Sequence, residues 1–165
     1  MTDSWRGDLW RQFGAAIDML ENALVACPES AWGRRDDWQA FWYLAFHTLF
    51  WLDLYLSPDS EGFAPPAPFG LEELDPAGLL PPRVYTKTEL LAYLAHGRAK
   101  CLAALSGMTD EDARRPCGIR PGMSRGELHI YNLRHVQHGA AQLNLLLRQA
   151  VDDAPRWVSR GRDLD

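Results

Sequence analysis

The segment AFWYLAFHTLFWLDLYL, residues 40–56, restricts the fold more than any other part of the chain. Apolar side chains surround a helix of this sequence on nearly every side, so such a helix must be covered all round by other elements. His47, Thr48 and Asp53 interrupt the run, which is also shorter than the roughly 20 predominantly apolar residues of a transmembrane helix. The segment therefore predicts a buried helix at the centre of a domain, and no membrane span.

Three further segments have helical periodicity, with apolar residues recurring at intervals of three and four. Capping-box spacing at Thr86 to Glu89 and at Ser124 to Glu127 marks two helix starts. The four predicted helices run from about Ser4 to Ala26, Asp37 to Leu56, Lys87 to Ser106 and Ser124 to Val151, and a short helical turn is predicted from Thr109 to Arg115. No strand-like alternation appears, so we predict an all-α four-helix bundle that forms one domain over residues 1–165.

The connection between the second and third helices is a long crossover from Ser57 to Tyr85 with seven prolines, which exclude a regular element. Loops of this length inside a domain are usually functional or disordered. Its apolar residues favour a loop packed over the domain: Phe63, Phe69, Leu71, Leu74, Leu79 and Leu80. A surface wrap without an active role stays open as the alternative.

Charge and targeting signals exclude several classes of protein. The formal net charge of −5 leaves no basic stripe, so we predict no binding of nucleic acid. The N-terminus lacks the basic and apolar regions of a secretory signal, which predicts a cytoplasmic protein. Cys27, Cys101 and Cys117 lack CxxC spacing and are predicted to be reduced thiols that pack in the interior.

Histidines on two predicted helices are the candidate functional residues. His47 lies in the middle of the apolar run, and burying an imidazole without a partner costs on the order of 1 to 3 kcal/mol. His135 and His138 lie three residues apart on the last helix, a spacing that allows both side chains to bind one ion. The two alternatives are a metal site inside the bundle and a core histidine satisfied by a neighbouring polar group. His129 is predicted to be a core or capping residue, and His96 a rim residue.

The aromatic segment around His47 and the motif HVQHGAAQL at residues 135–143 together resemble the DinB/YfiT-like superfamily over nearly the whole chain. The resemblance implies an up-down-down-up four-helix bundle and a divalent metal ion, zinc or nickel, bound by one histidine of helix 2 and two of helix 4. In the family motif HxxHHxGQ the first histidine and the one four residues later bind the metal. Here these positions are His135 and Gly139, so we predict the metal ligands His47, His135 and His138, with Gln142 as a supporting hydrogen-bond partner.

Two functions follow from the resemblance. The first is a metal-dependent thiol S-transferase or hydrolase that acts on a small molecule, with a low-molecular-weight thiol as partner. Tyr43 and Trp51 are either pocket residues of such a site or core aromatics. The alternative is a degenerate bundle without metal that binds a small ligand or a protein, which the glycine at position 139 favours. Trp5, Trp10 and Trp157 are candidates for an exposed surface, and a homodimer is expected with either function.

Overall fold

A computed structural model describes residues 5–33 and 38–161. Its helices are α1 (Trp5–Ala26), α2 (Phe41–Tyr55), α3 (Lys87–Gly107), α4 (Asp110–Arg114) and α5 (Arg125–Val151). The described residues form no strand, which confirms the all-α class. None of the helices in the described ranges is long and apolar enough to cross a membrane.

Side-chain caps set the starts of the later helices. The Thr86 hydroxyl accepts a hydrogen bond from the Glu89 backbone N–H, and the Glu89 carboxylate accepts one from the Thr86 N–H. Ser124 caps α5 in the same way, by accepting from the Glu127 N–H. Each cap satisfies donors that a helix start leaves without partners. These starts agree with the capping-box predictions.

Helix α2 begins later than its sequence pattern predicts. The predicted start at Asp37 lies outside the described residues, and residues 38–39 form a turn. Ala40 is extended, and the backbone N–H of Trp42 donates to the carbonyl of Trp32 at 3.1 Å. This bond fixes the chain before the helix to the preceding 3-10 turn (Glu29–Ala31), so the helical residues begin at Phe41.

Helix α2 packs against α3 and α5, and α1 packs against the same two helices. Most of α2 is buried, and Trp42, Phe46, Leu49 and Phe50 are almost fully so. Leu44, His47 and Trp51 share one face and are only partly buried, so α2 is not covered all round as its apolar run predicted. The Thr48 side chain and the Asp53 carboxylate are buried with it, and Asp53 pairs with Lys100 of α3 at 2.5 Å.

The 57–85 segment packs along α2 and α3. Phe69 is its main anchor: the ring lies 4.4 Å from the Tyr93 ring and 5.9 Å from the Phe46 ring, both in stacked geometry. Phe63 and Leu80 are partly buried against the core. Leu71, Leu74 and Leu79, which we expected to pack, are exposed, since the segment reaches the core through its aromatic residues.

All three cysteines are free, and Cys27 and Cys101 are buried while Cys117 is partly exposed. Trp10, which we expected at an exposed surface, is 5 % exposed and belongs to the core, because its helix face turns toward α5 and α3. Trp5 and Trp157 are exposed.

Candidate functional site

One buried carboxylate organises the polar face of α2. Tyr43, His47 and Trp51 are spaced by four residues and therefore lie on one side of the helix. All three bind Glu73 of the 57–85 segment: the distances are 2.7 Å from Tyr43 Oη, 2.6 Å from His47 Nδ1 and 2.9 Å from Trp51 Nε1. The carboxylate thus receives three side-chain hydrogen bonds from successive turns of one helix.

The environment of Glu73 keeps it ionised at neutral pH. Its side chain is 5 % exposed, and this burial alone raises the pKa of the carboxyl group. The hydrogen bond and charge of His47, with the bonds from Tyr43 and Trp51, outweigh burial and hold the pKa of Glu73 below its usual value. Burial and the bond to Glu73 also raise the pKa of the Tyr43 phenol, which stays protonated and donates.

The carboxylate also determines the tautomer of His47. An ionised carboxylate only accepts hydrogen bonds, so the proton of a neutral His47 ring is on Nδ1. The lone pair is then on Nε2, away from Glu73. A carboxylate that holds a histidine in this way is the usual outer partner of a metal-binding imidazole.

His135 of α5 lies opposite His47, with the ring centroids 5.6 Å apart. Burial, and then the neighbouring charge of His47, lowers the pKa of His135 to about 4, so its ring is neutral at pH 7. Its Nε2 is buried and has no hydrogen-bond partner among the described residues. A buried nitrogen without a partner is costly, and it marks the position where a ligand would be most stabilising.

His138 is exposed, in agreement with a helix position farther toward solvent than that of His135. It lines a surface hollow of about 540 Å³ together with Tyr131, Arg134 and His135. Within residues 5–33 and 38–161, no three His, Cys, Asp or Glu side chains are arranged to hold a metal ion. The structure thus brings His47 and His135 together, and the role of His138 as the third ligand stays a prediction.

The position four residues after His135 is closed by a helix contact. A Cβ atom on Gly139 would lie 2.2 Å from Oγ1 and 2.7 Å from Cγ2 of Thr48. The Thr48 hydroxyl donates to the Leu44 carbonyl at 2.7 Å, which holds this side chain in place. A side chain at position 139 therefore requires a shift of the Thr48 side chain or of the two helices.

The remaining candidate residues lie elsewhere. The Gln142 side chain is exposed, and no hydrogen bond joins it to the histidines among the described residues. His129 is 6 % exposed and lines a separate hollow with Cys117 and Asp112. His96 lies at the rim, with Nε2 3.4 Å from the buried Asp53 carboxylate.

Sequence reasoning missed Glu73, the residue that orients His47. It lies in the 57–85 segment, 26 residues from His47, where no periodicity indicates which side chains face inward. The available signal was chemical: Glu72 and Glu73 are adjacent acidic residues between Leu71 and Leu74 in a proline-rich segment.

Comparison with known families gives one match. A sequence model of the DinB superfamily matches residues 12–143, a range that includes α2, the 57–85 segment and both site histidines. No curated protein and no solved structure has significant similarity to the chain.

Proposed function

The chain belongs to the DinB superfamily, and from that premise we propose that it binds a divalent metal ion, zinc or nickel, between α2 and α5. His47 and His135 are the two ligands in this proposal. The observation that carries it is the buried Nε2 of His135, which has no partner among the described residues and belongs to a ring 5.6 Å from that of His47.

The donor chemistry of this pair fits the proposal. Both rings present nitrogen donors, which suit zinc and nickel, and His135 is neutral at pH 7 because burial lowers its pKa to about 4. Glu73 fixes the orientation of His47 through Nδ1. Two protein ligands leave coordination positions for His138, for a substrate or for water, as in catalytic rather than structural sites.

The proposed activity is a metal-dependent thiol transfer or hydrolysis on a small molecule. A bound ion would supply Lewis acidity that lowers the pKa of a thiol or a water molecule toward neutrality. The chain's own residues would orient the reactants: Glu73 holds His47, while Tyr43 and Trp51 hold Glu73. His135 and His138 line an exposed hollow on α5, which would be the entrance for a small molecule.

Metal binding by untagged protein tests the proposal. Calorimetric titration with zinc and nickel is expected to show one site, which His47→Ala or His135→Ala abolishes. Glu73→Gln should weaken binding about 10- to 100-fold, because the first ligand loses its orienting carboxylate. His96→Gln, a change at a rim histidine away from the pair, is the matched control and should bind as wild type.

The His138→Ala variant identifies the third ligand. A loss of affinity similar to that of His135→Ala would place His138 on the metal, and an unchanged affinity would assign the position to substrate or water. Failure of the wild-type protein to bind any of zinc, nickel, iron or manganese would contradict the proposal as a whole. Consumption of a small thiol in the presence of an electrophile, with and without metal, then tests the activity.

One observation favours a second candidate, a bundle without metal that binds a small ligand or a protein. Gly139 packs against Thr48, so the usual third ligand position is part of the helix interface. This candidate predicts that His47→Ala and His135→Ala alter stability and ligand binding without any change in metal content.

A further inference from the structure

The hollow that His129 lines has a volume of about 190 Å³ and lies where the ends of α2 and α3 meet the first turn of α5. Residues of α4 and of the loop between α4 and α5 complete its lining. It shares no lining residue with the hollow beside His135 and His138. A molecule in this second hollow therefore contacts a different set of side chains from those at the histidine pair.

His129 is the buried polar group of this hollow. The residue is 6 % exposed, and no hydrogen bond joins either ring nitrogen to another described residue. Nδ1 is fully enclosed, which leaves Nε2 as the nitrogen that a molecule in the hollow reaches. Buried polar groups almost always have partners, because an unpaired one costs free energy. His129 therefore indicates a ligand that supplies the missing hydrogen bond.

The ring of His129 is uncharged at pH 7. Burial, and then the charge of Arg125, lowers the pKa of His129 to about 4. A neutral imidazole has one donor nitrogen and one acceptor nitrogen, and a hydroxyl group both donates and accepts. A hydroxyl group thus pairs with Nε2 of His129 in either tautomer, whereas a carboxylate pairs only with a protonated nitrogen.

The size and the other lining residues limit what fits beside His129. An apolar cavity of about 150 Å³ is large enough for benzene, so a hollow of about 190 Å³ holds one six-membered ring with a small substituent. Arg125 and Asp112 both line the hollow, and their opposite charges favour neither an anion nor a cation. Apolar side chains provide the surface against which a ring packs: Leu56, Pro58, Ala104, Met108 and Leu128.

We propose that this hollow is a binding site for a small uncharged molecule that combines an apolar ring with a hydroxyl group, as in a phenol. Nε2 of His129 forms the hydrogen bond with the hydroxyl group, and the ring packs against the apolar side chains. A few polar groups among apolar ones are the usual composition of a small-molecule site. The site needs neither the histidine pair nor a metal ion, so it goes beyond the proposed function.

The test titrates phenol into the metal-free wild-type protein and follows binding by NMR, including the ring nitrogens of His129. We expect saturable binding with a shift of the Nε2 signal. His129→Leu should weaken phenol binding about three- to tenfold, because one hydrogen bond is lost. Toluene has the same ring without a hydroxyl group, so His129→Leu should bind it at least as tightly as wild type does.

A second pair of variants tests the hollow itself and leaves His129 in place. Ala104→Leu fills part of the space and should abolish phenol binding. Ala92→Leu makes the same change at an exposed position of α3, about 18 Å along the helix, and should bind within about twofold of wild type. Phenol should also slow the alkylation of Cys117, which lines the hollow, in wild type but not in Ala104→Leu.

Benzoate tests the choice of an uncharged ligand, since it carries a carboxylate on the same ring. We expect it to bind at least about tenfold more weakly than phenol, because an anion loses its hydration and gains no net charge from the pair Arg125 and Asp112. Tighter binding of benzoate than of phenol would overturn the proposal. Absence of saturable phenol binding, or equal phenol affinities for wild type and His129→Leu, would also overturn it.

Discussion

At the scale of single residues, Gly139 and Thr48 decide how closely α2 and α5 approach. In the sequence, Gly139 stands where the family motif has a metal-binding histidine. In the structure, the Thr48 side chain fills the space that a Cβ atom at position 139 would need. The close approach of the two backbones brings the rings of His47 and His135 to 5.6 Å.

Gly139→Ala is expected to destabilise the protein by about 1 to 2 kcal/mol in chemical denaturation. Overpacking a tight contact costs about 1 to 3 kcal/mol, and the better helix propensity of alanine offsets up to about 1 kcal/mol. In a Thr48→Ala background the cost should fall, because Oγ1 and Cγ2 are gone. Gly14→Ala is the control: its Cβ would meet only ordinary contacts at 3.5 Å or more, so we expect no loss of stability. Equal costs in both backgrounds would disprove the contact.

His129 makes stability depend on pH. Burial, and then the charge of Arg125, lowers the pKa of His129 from 6.5 to about 4. As the pH falls, the His129 imidazole of the unfolded chain therefore binds a proton near pH 6.5, whereas that of the folded protein binds one only near pH 4. The stabilisation is complete above the unfolded pKa and is lost as the pH falls through this window, by at most roughly 3 kcal/mol.

The variant His129→Leu removes this titration. The difference in unfolding free energy between wild type and variant should change by up to roughly 3 kcal/mol between neutral pH and about pH 4, measured by urea denaturation at a series of pH values. A variant curve parallel to wild type would show that His129 does not titrate differently on folding.

Single residues also show how far the sequence predicts the site. His47 and His135 follow from their helix faces, because periodicity and the family motif are local signals. The Glu73–His47 and Thr48–Gly139 contacts do not follow. Each of these contacts joins residues from separate helices or loops, and no local sequence pattern indicates which of them meet.

At the scale of elements, the 57–85 segment supplies Glu73 and is anchored by Phe69. The Phe69 ring is 8 % exposed and stacks on Tyr93, at 4.4 Å between centroids. The apolar composition predicts a packed loop but not which residues anchor it. A loop has no repeat that would separate the buried Phe69 from the exposed Leu79.

Phe69→Ala should destabilise the protein by about 3 to 5 kcal/mol and release the segment that carries Glu73, because truncating a buried aromatic leaves a cavity. Faster limited proteolysis within residues 57–85, together with weaker metal binding, is the expected result. The control Leu79→Ala changes a side chain that is 53 % exposed and should lie within about 0.5 kcal/mol of wild type. Unchanged proteolysis of Phe69→Ala would mean that other contacts hold the segment.

At the scale of the whole molecule, we expect a homodimer. Trp10 belongs to the core, but Trp5 and Trp157 are 39 % and 69 % exposed, and large exposed aromatics are common at protein interfaces. Sedimentation equilibrium should give about twice the chain mass of 18.7 kDa. Trp157→Ala and Trp5→Ala then locate the interface, and a monomer at all concentrations would contradict the expectation.

The sequence by itself determined the all-α class, the helices with their capped starts, the burial of most of α2 and the superfamily. These properties depend on periodicity and on contacts between residues a few positions apart, which any helix must satisfy before it packs. The tertiary structure alone decided that Glu73 holds His47, that Thr48 fills the space beside Gly139 and that the ends of α2 and α3 meet the first turn of α5 around His129. These contacts join residues far apart in the chain, so they exist only once the packing of α2 against α5 and the paths of the loops are fixed.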